Sequence, residues 1–260
     1  MSPRRNETLG TLAFAPTLLS NLLPVVGIVA LDWRLVEVLA MYWLELGTTL
    51  LVYGVAALFA RRPVVLDGRT LFLPGVSNDT ERHEKWDRAP NPVELPGPLP
   101  PVYPRNARLV RLSFVWGFGF LAFPLYAEPK LITDALSPAL VLTALAMVAS
   151  HVDQLRREFF GERRYEEMSA HMVLEVPGRL LFFAVCYLAL VGACGMVLAL
   201  LAVGVADSNT VVVPAFETEL AATTVVVVGM LLVEWSRFRA EHDPEPSGFA
   251  TWFLPDDPRE

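Results

Sequence analysis

Apolar residues in this chain gather into six long blocks: Leu9–Leu31, Leu35–Ala60, Leu109–Ala127, Leu131–His151, Leu180–Ala206 and Leu220–Trp235. Polar and charged residues are concentrated between the blocks. A helix needs about twenty apolar residues to cross the ~30 Å hydrocarbon core of a bilayer. A chain of 260 residues has no soluble core large enough to hide six such helices. The pattern therefore predicts an all-α fold: a polytopic bundle of six transmembrane helices.

Charge orients the blocks. Of 21 Lys and Arg residues, only Arg34 and Lys130 fall in the first, third or fifth connection. Apart from Arg111, at the start of the third block, the others gather near the N-terminus, in the long loop after Ala60, around Arg156–Arg179, and after the sixth block. Positive charge marks the cytoplasmic side. This places both termini in the cytoplasm and makes the protein a multi-pass component of the plasma membrane. An odd number of spans would break the alternation. The basic pair Arg4-Arg5 and the apolar run behind it lack a small-residue cleavage site, so an uncleaved first span is expected. The sequons at Asn6 and Asn78 fall on the inner side and are expected to stay unmodified.

The connections divide the chain further. Residues 1–60 form a first hairpin of spans, 109–151 a second and 180–240 a third. The segment 61–108 holds nine of the 21 prolines, a composition suited to extended backbone rather than a packed core. Near its start, Asp67-Gly68 is flanked by strand-like residues and predicts a small hairpin turn. Residues 152–179 alternate charged and apolar positions at helical spacing. They predict an amphipathic helix on the inner leaflet, where Phe159, Phe160, Met172, Val173 and Leu174 dip into the interface. Arginines in 156–179 would meet anionic lipid headgroups. Residues 241–260 read as an acidic tail.

Composition adds two points. The net charge is −7, although the inner loops are rich in arginine, and lysine is nearly absent. Excess surface carboxylate favours solubility where salt screens charge strongly, which suits a high-salt cytoplasm. The two cysteines, Cys186 and Cys194, are eight residues apart on one expected span. That is roughly 12 Å along a helix, too far for a disulfide between them.

Polar residues inside the first two blocks are the candidate chemistry. The link between these blocks is centred near Trp33. Asn21 lies twelve residues before it and Glu45 twelve after it. Both would lie about 18 Å from the turn, close to the bilayer midplane. Helices joined by a short turn are neighbours, so the two side chains can meet. Tyr42, Glu45, Thr49 and Tyr53 form one polar stripe on the second block. Pro24 lacks an amide hydrogen and frees the carbonyl of Ser20, which needs a donor inside the protein. Gly27 lets the two backbones come close one turn higher. Asn21, Pro24, Tyr42, Glu45 and Thr49 therefore make a buried polar site, with Glu45 mostly neutral and hydrogen-bonded to Asn21 or Tyr42. Two readings stay open: a clasp that fixes the hairpin, and a carboxylate that handles protons or ions.

The pattern N-x-x-P-x-x-G at Asn21, Pro24 and Gly27, the tryptophan Trp33 and Y-W-x-E at Tyr42, Trp43 and Glu45 resemble the opening hairpin of an uncharacterised family of multi-span membrane proteins. That family, a domain of unknown function, is best known from halophilic archaea. The pair Ser150-His151, which closes the fourth block, and the basic loop behind it resemble the same family. The later blocks carry fewer polar residues than that family's pattern, with Met230, Glu234 and Phe238 standing at such places. The resemblance implies a fold and a habitat, and no activity.

Other chemistries find little support. No H-E-x-x-H, G-x-S-x-G or phosphate-binding glycine loop is present. Glu167 and His171 have i, i+4 spacing but lack further ligands. No catalytic or metal-binding residue is assigned, no cofactor is identified, and nothing points to nucleic acid. His151 is read as an interfacial residue at a different depth from Glu45. Asp134, Glu217 and Glu219 suit the dipoles of outer helix starts. Three function classes follow: transport or proton/ion coupling through Glu45 and Asn21; a structural or partner-recruiting membrane protein; and, least supported, a membrane enzyme or cofactor carrier.

Overall fold

The computed structural model describes residues 26–27, 29–30, 33–63, 92–97, 99–127, 129–130, 133, 136–205, 215–243 and 245–254. Asn21, Pro24, both sequons, the Asp67-Gly68 turn and most of the first apolar block lie outside the described residues.

Among the described residues the chain is all-helical, with two isolated bridges and no strand. The helices are α1 (Leu35–Ala57), α2 (Ala107–Ala127), α3 (Pro138–Gln154), the single turn α4 (Arg164–Glu167), α5 (Ala170–Val205) and α6 (Ala215–His242). Each apolar block from the second to the sixth overlaps one of these helices. Among the described residues, three stretches are long and apolar enough to cross a membrane: Val36–Ala57, Ala170–Cys194 and Ala221–Ala240. At 17 residues, α3 alone is shorter than the roughly twenty needed. Its start is set by Ser137, whose hydroxyl accepts from the amide of Leu140 at 3.2 Å, with Pro138 in the first turn. A π-helical segment, Leu155–Gly161, continues it.

The chain divides into two compact units. One comprises residues 40–181 and 255–260. Within it, α1 and α2 pack through small residues: a Cβ at Gly54 would overlap the ring of Phe114, and one at Gly117 would overlap Leu50. Glycines at both places let the two backbones approach closely. Leu50, Leu121 and Leu181 join α1, α2 and α5 in a buried layer.

At one end of this unit the connections themselves become core. Ala56, Ala57, Phe59, Ala60, Leu109, Val110, Phe159, Ala170, Val173 and Leu174 form one buried cluster. Phe160 meets Phe59 and Phe159 edge to face, with centroids 5.2 and 5.3 Å apart. The carbonyl of Ala57, at the end of α1, and those of the turn after it are bonded by distant segments. Asn106 is buried and donates from Nδ2 to the carbonyls of Ala57 and Ala60, both at 2.9 Å. The amide of Tyr103 donates to Leu58 at 2.9 Å. Arg61 and Arg62 donate their amides to Tyr165 and Met168 at 2.8 and 3.1 Å.

Two expectations change here. The end of the proline-rich segment is folded: Val93 and Val102 pair at 2.8 and 2.9 Å, and Leu95 and Val102 pack on the core. Prolines remove donors, yet the valines between them keep theirs. The interfacial helix expected over 152–179 also divides. Its arginines Arg156, Arg157, Arg163 and Arg164 are exposed, but α5 begins at Ala170, and residues 170–179 are buried apart from Val176. Hydropathy missed this because that stretch carries three ionisable residues, His171, Glu175 and Arg179, which are buried together inside the protein.

The second unit comprises residues 1–39 and 182–254. Here Gly27 receives the ring of Trp33, whose amide donates to the Gly27 carbonyl at 3.0 Å. On α5, Tyr187 fills the notch left by Gly229 on α6, and its hydroxyl donates to the carbonyl of Val225. Beyond α6 a 3-10 turn, Gly248–Phe253, buries Ala250 and Phe253. The tail expected to be merely acidic thus starts with a packed aromatic turn.

Candidate functional site: two polar groups on packed helices

α1 presents its polar stripe as the spacing predicts. Tyr42 and Thr49 are buried, while Glu45, between them on the same face, is half-buried. Each lies three or four residues from the next, so one helix face carries all three.

The partner of Thr49 comes from α3. Its hydroxyl lies 3.1 Å from Nε2 of His151. The other ring nitrogen, Nδ1, lies 2.9 Å from the carbonyl of Met147. A carbonyl only accepts, so Nδ1 carries a proton. In the neutral ring Nε2 is then the acceptor, and Thr49 donates to it. In the imidazolium Nε2 donates, and the same hydroxyl accepts. The hydroxyl can exchange these roles by rotating, with no heavy atom moved. Sequence reasoning set His151 apart from the stripe on grounds of depth; the structure brings its ring to Thr49, one turn from Glu45. Asn21 and Pro24, the other members of the predicted site, lie outside the described residues.

A second polar group was missed by the sequence reading as a group. His171, Glu175 and Arg179 recur every four residues along the first turns of α5 and share one face. Their side chains are 5%, 2% and 8% exposed, so the charges are inside the protein. Glu175 is the centre. Its Oε1 accepts from Nη2 of Arg179, and its Oε2 lies 3.6 Å from Nε2 of His171. Buried charges persist only when paired and hydrogen-bonded. The i, i+4, i+8 spacing was legible, and it required only that the segment be read as interior helix. Among the described residues no group of three or more His, Cys, Asp or Glu side chains is placed to hold a metal ion.

Fold and site together define an all-helical protein with helices apolar enough to cross a membrane and with ionisable groups held between them. Residues 3–99 match a family of unknown function (DUF6498). The matched segment includes Asn21, Pro24, Tyr42, Glu45 and Thr49. No curated protein and no solved structure matches the chain.

Proposed function

We propose that the chain is a multi-pass protein of the plasma membrane of a salt-adapted, halophilic cell, with six spans and both termini in the cytoplasm. We further propose that it couples protons or small ions through the polar face of α1. The topology is supported by the charge bias of the connections and by the helices that occupy the later apolar blocks. Arginines in 156–164 would face anionic headgroups.

One observation carries the coupling reading: His151 reaches across from α3 to Thr49, one turn from Glu45 on the same face. Two titratable groups on two helices thus come near one another, and the hydroxyl bonded to His151 can donate or accept. Ionisable residues within spanning helices mark ion and proton paths. The expected partnership of Glu45 with Asn21 is part of the same proposal, and Tyr42 lies on the Glu45 face of α1.

A scaffold reading draws on a different fact: Thr49 is only 4% exposed, as a dry packing clasp would require. Reconstituted vesicles separate the two. With a pH-sensitive dye inside and an imposed sodium or potassium gradient, coupling predicts a proton flux that Glu45→Gln and His151→Phe abolish. Thr49→Val would reduce it several-fold. Equal and negligible flux in all four proteins sinks the coupling reading. The infrared C=O band of a protonated Glu45, identified by its loss in Glu45→Gln, gives an independent check. A band that titrates near neutral pH means exchange with water; one that persists to high pH means a dry clasp.

A further inference from the structure

Beyond the coupling reading, the structure assigns a lipid-facing role to the aromatic turn after α6. We infer that Gly248–Leu254 lies in the bilayer interface and anchors the inner end of α6 against the Phe182–Phe183 surface of α5, with phospholipid, rather than a soluble protein, as its partner.

The argument begins with register. Tyr187 on α5 fits against Gly229 on α6, and its hydroxyl bonds Val225. Phe183, one turn before Tyr187 on α5, meets Phe249 beyond the end of α6, so the two helices run antiparallel. Going back along α5 from Tyr187 and forward along α6 from Gly229 therefore leads to the same end. Phe182 and Phe183 lie there on α5, and Trp235 and Phe238 lie there on α6. That end is also where the apolar stretch of α6 finishes, at Ala240.

The chain then returns. Asp243 accepts from Arg239 at 3.1 Å and from the amide of Glu245 at 3.1 Å, closing the helix end. After Ser247, the turn carries Phe249, Trp252 and Phe253 back onto α5. Phe249 lies 5.7 Å from the ring of Phe183, and Trp252 lies 6.4 Å from that of Phe182. Phe249 and Trp252 also stack on each other at 5.7 Å.

One side of the turn is sealed and the other is open. Ala250 and Phe253 are buried, while Phe249 and Leu254 are 46% and 36% exposed. The spanning helices continue this surface, with Phe182 48% and Trp235 37% exposed. The contact of Trp252 with Phe182 joins the turn to the apolar outer surface of α5. A water-facing tail has no reason to expose rings on both the turn and the helix beneath it. Aromatic side chains at the end of spanning helices suit the headgroup level, where an apolar ring meets a wet boundary. Arg239 near the end of α6, with Asp243 and Glu245 after it, supplies the polar edge of that boundary.

The test uses the full chain in vesicles of phosphatidylcholine and phosphatidylglycerol, where no protein partner is present. Both cysteines are free, so Cys186→Ser and Cys194→Ser give a background for spin labelling. Labels at Phe249→Cys and Leu254→Cys are compared with one at Glu245→Cys. The inference expects the labels at 249 and 254 to collide with oxygen, and to be several-fold less accessible to water-soluble nickel than the label at 245. If Phe249→Cys fails to fold, the label at 254 decides, because that residue is at the edge of the cluster. Nickel accessibility at 249 and 254 equal to that at 245 overturns the inference, and points to a protein partner or to solvent.

Discussion

Arg179, Glu175 and His171 show how much a single side chain can carry. Removing one member of a buried ion pair leaves the other charge without compensation, at a cost of about 3–5 kcal/mol. Arg179→Met is expected to destabilise the protein by that amount, read as reduced resistance to unfolding in mixed detergent by circular dichroism. Adding Glu175→Gln to Arg179→Met should recover part of the loss, since no bare charge then remains. A neutral Arg179→Met would mean that the pair contributes nothing. Asp243 gives a prediction in pH. The Glu245 amide and the Arg239 side chain hold its carboxyl below the ordinary value of 3.8. A depressed folded-state pKa contributes stability that is complete above the ordinary value and is lost as pH falls through the lowered one. Asp243 is therefore expected to stay ionised below pH 3.8 in a carboxylate-resolved NMR titration, and Arg239→Gln should move it back towards that value. At this scale the sequence was partly legible. Tyr42, Glu45 and Thr49 fall on one face because helical spacing alone decides that. His151 as the partner of Thr49 was not, because it depends on how α3 is placed against α1.

Helices were the most legible elements, and their ends the least. The run from Leu35 becomes helix to Ala57 because it is uninterrupted by proline. Two ends moved for local reasons: Ser137 and Pro138 delay α3, and α5 starts ten residues before its apolar block. The C-terminus of α1 depends on a residue almost fifty positions away. Asn106→Ala would leave the carbonyls of Ala57 and Ala60 buried without that donor, each lost bond costing about 1–3 kcal/mol. Asn106→Asp should be worse, since a carboxylate offers no donor to a carbonyl. Thermal unfolding followed by tryptophan fluorescence measures both; stability unchanged in Asn106→Ala would show that water replaces the amide. The contacts of the proline-rich end were not legible for a related reason. Composition reports what backbone conformations are favoured, but not that Val93 and Val102 would pair and that Tyr103 would cap a helix.

For the whole molecule, the proposed topology makes a direct prediction. In the cysteine-free background, a cysteine at Lys130 is expected to react with an impermeant maleimide from outside intact cells. A cysteine at Asn78 should react only after permeabilisation. The reverse pattern would invert the chain in the membrane and move the aromatic turn to the other leaflet. What the sequence by itself determined is the class: all-helical, apolar in blocks long enough for a bilayer, with a polar stripe on α1. Those properties follow from hydrophobic block length and from helical periodicity, which are local. Only the tertiary structure decided which polar groups meet. The histidine opposite Thr49, the buried charges centred on Glu175, the asparagine that closes α1 and the aromatic turn against α5 all join residues or surfaces through packing. Their energies come from removing water around specific partners, and that information is in the contacts between elements rather than in the order of residues along them.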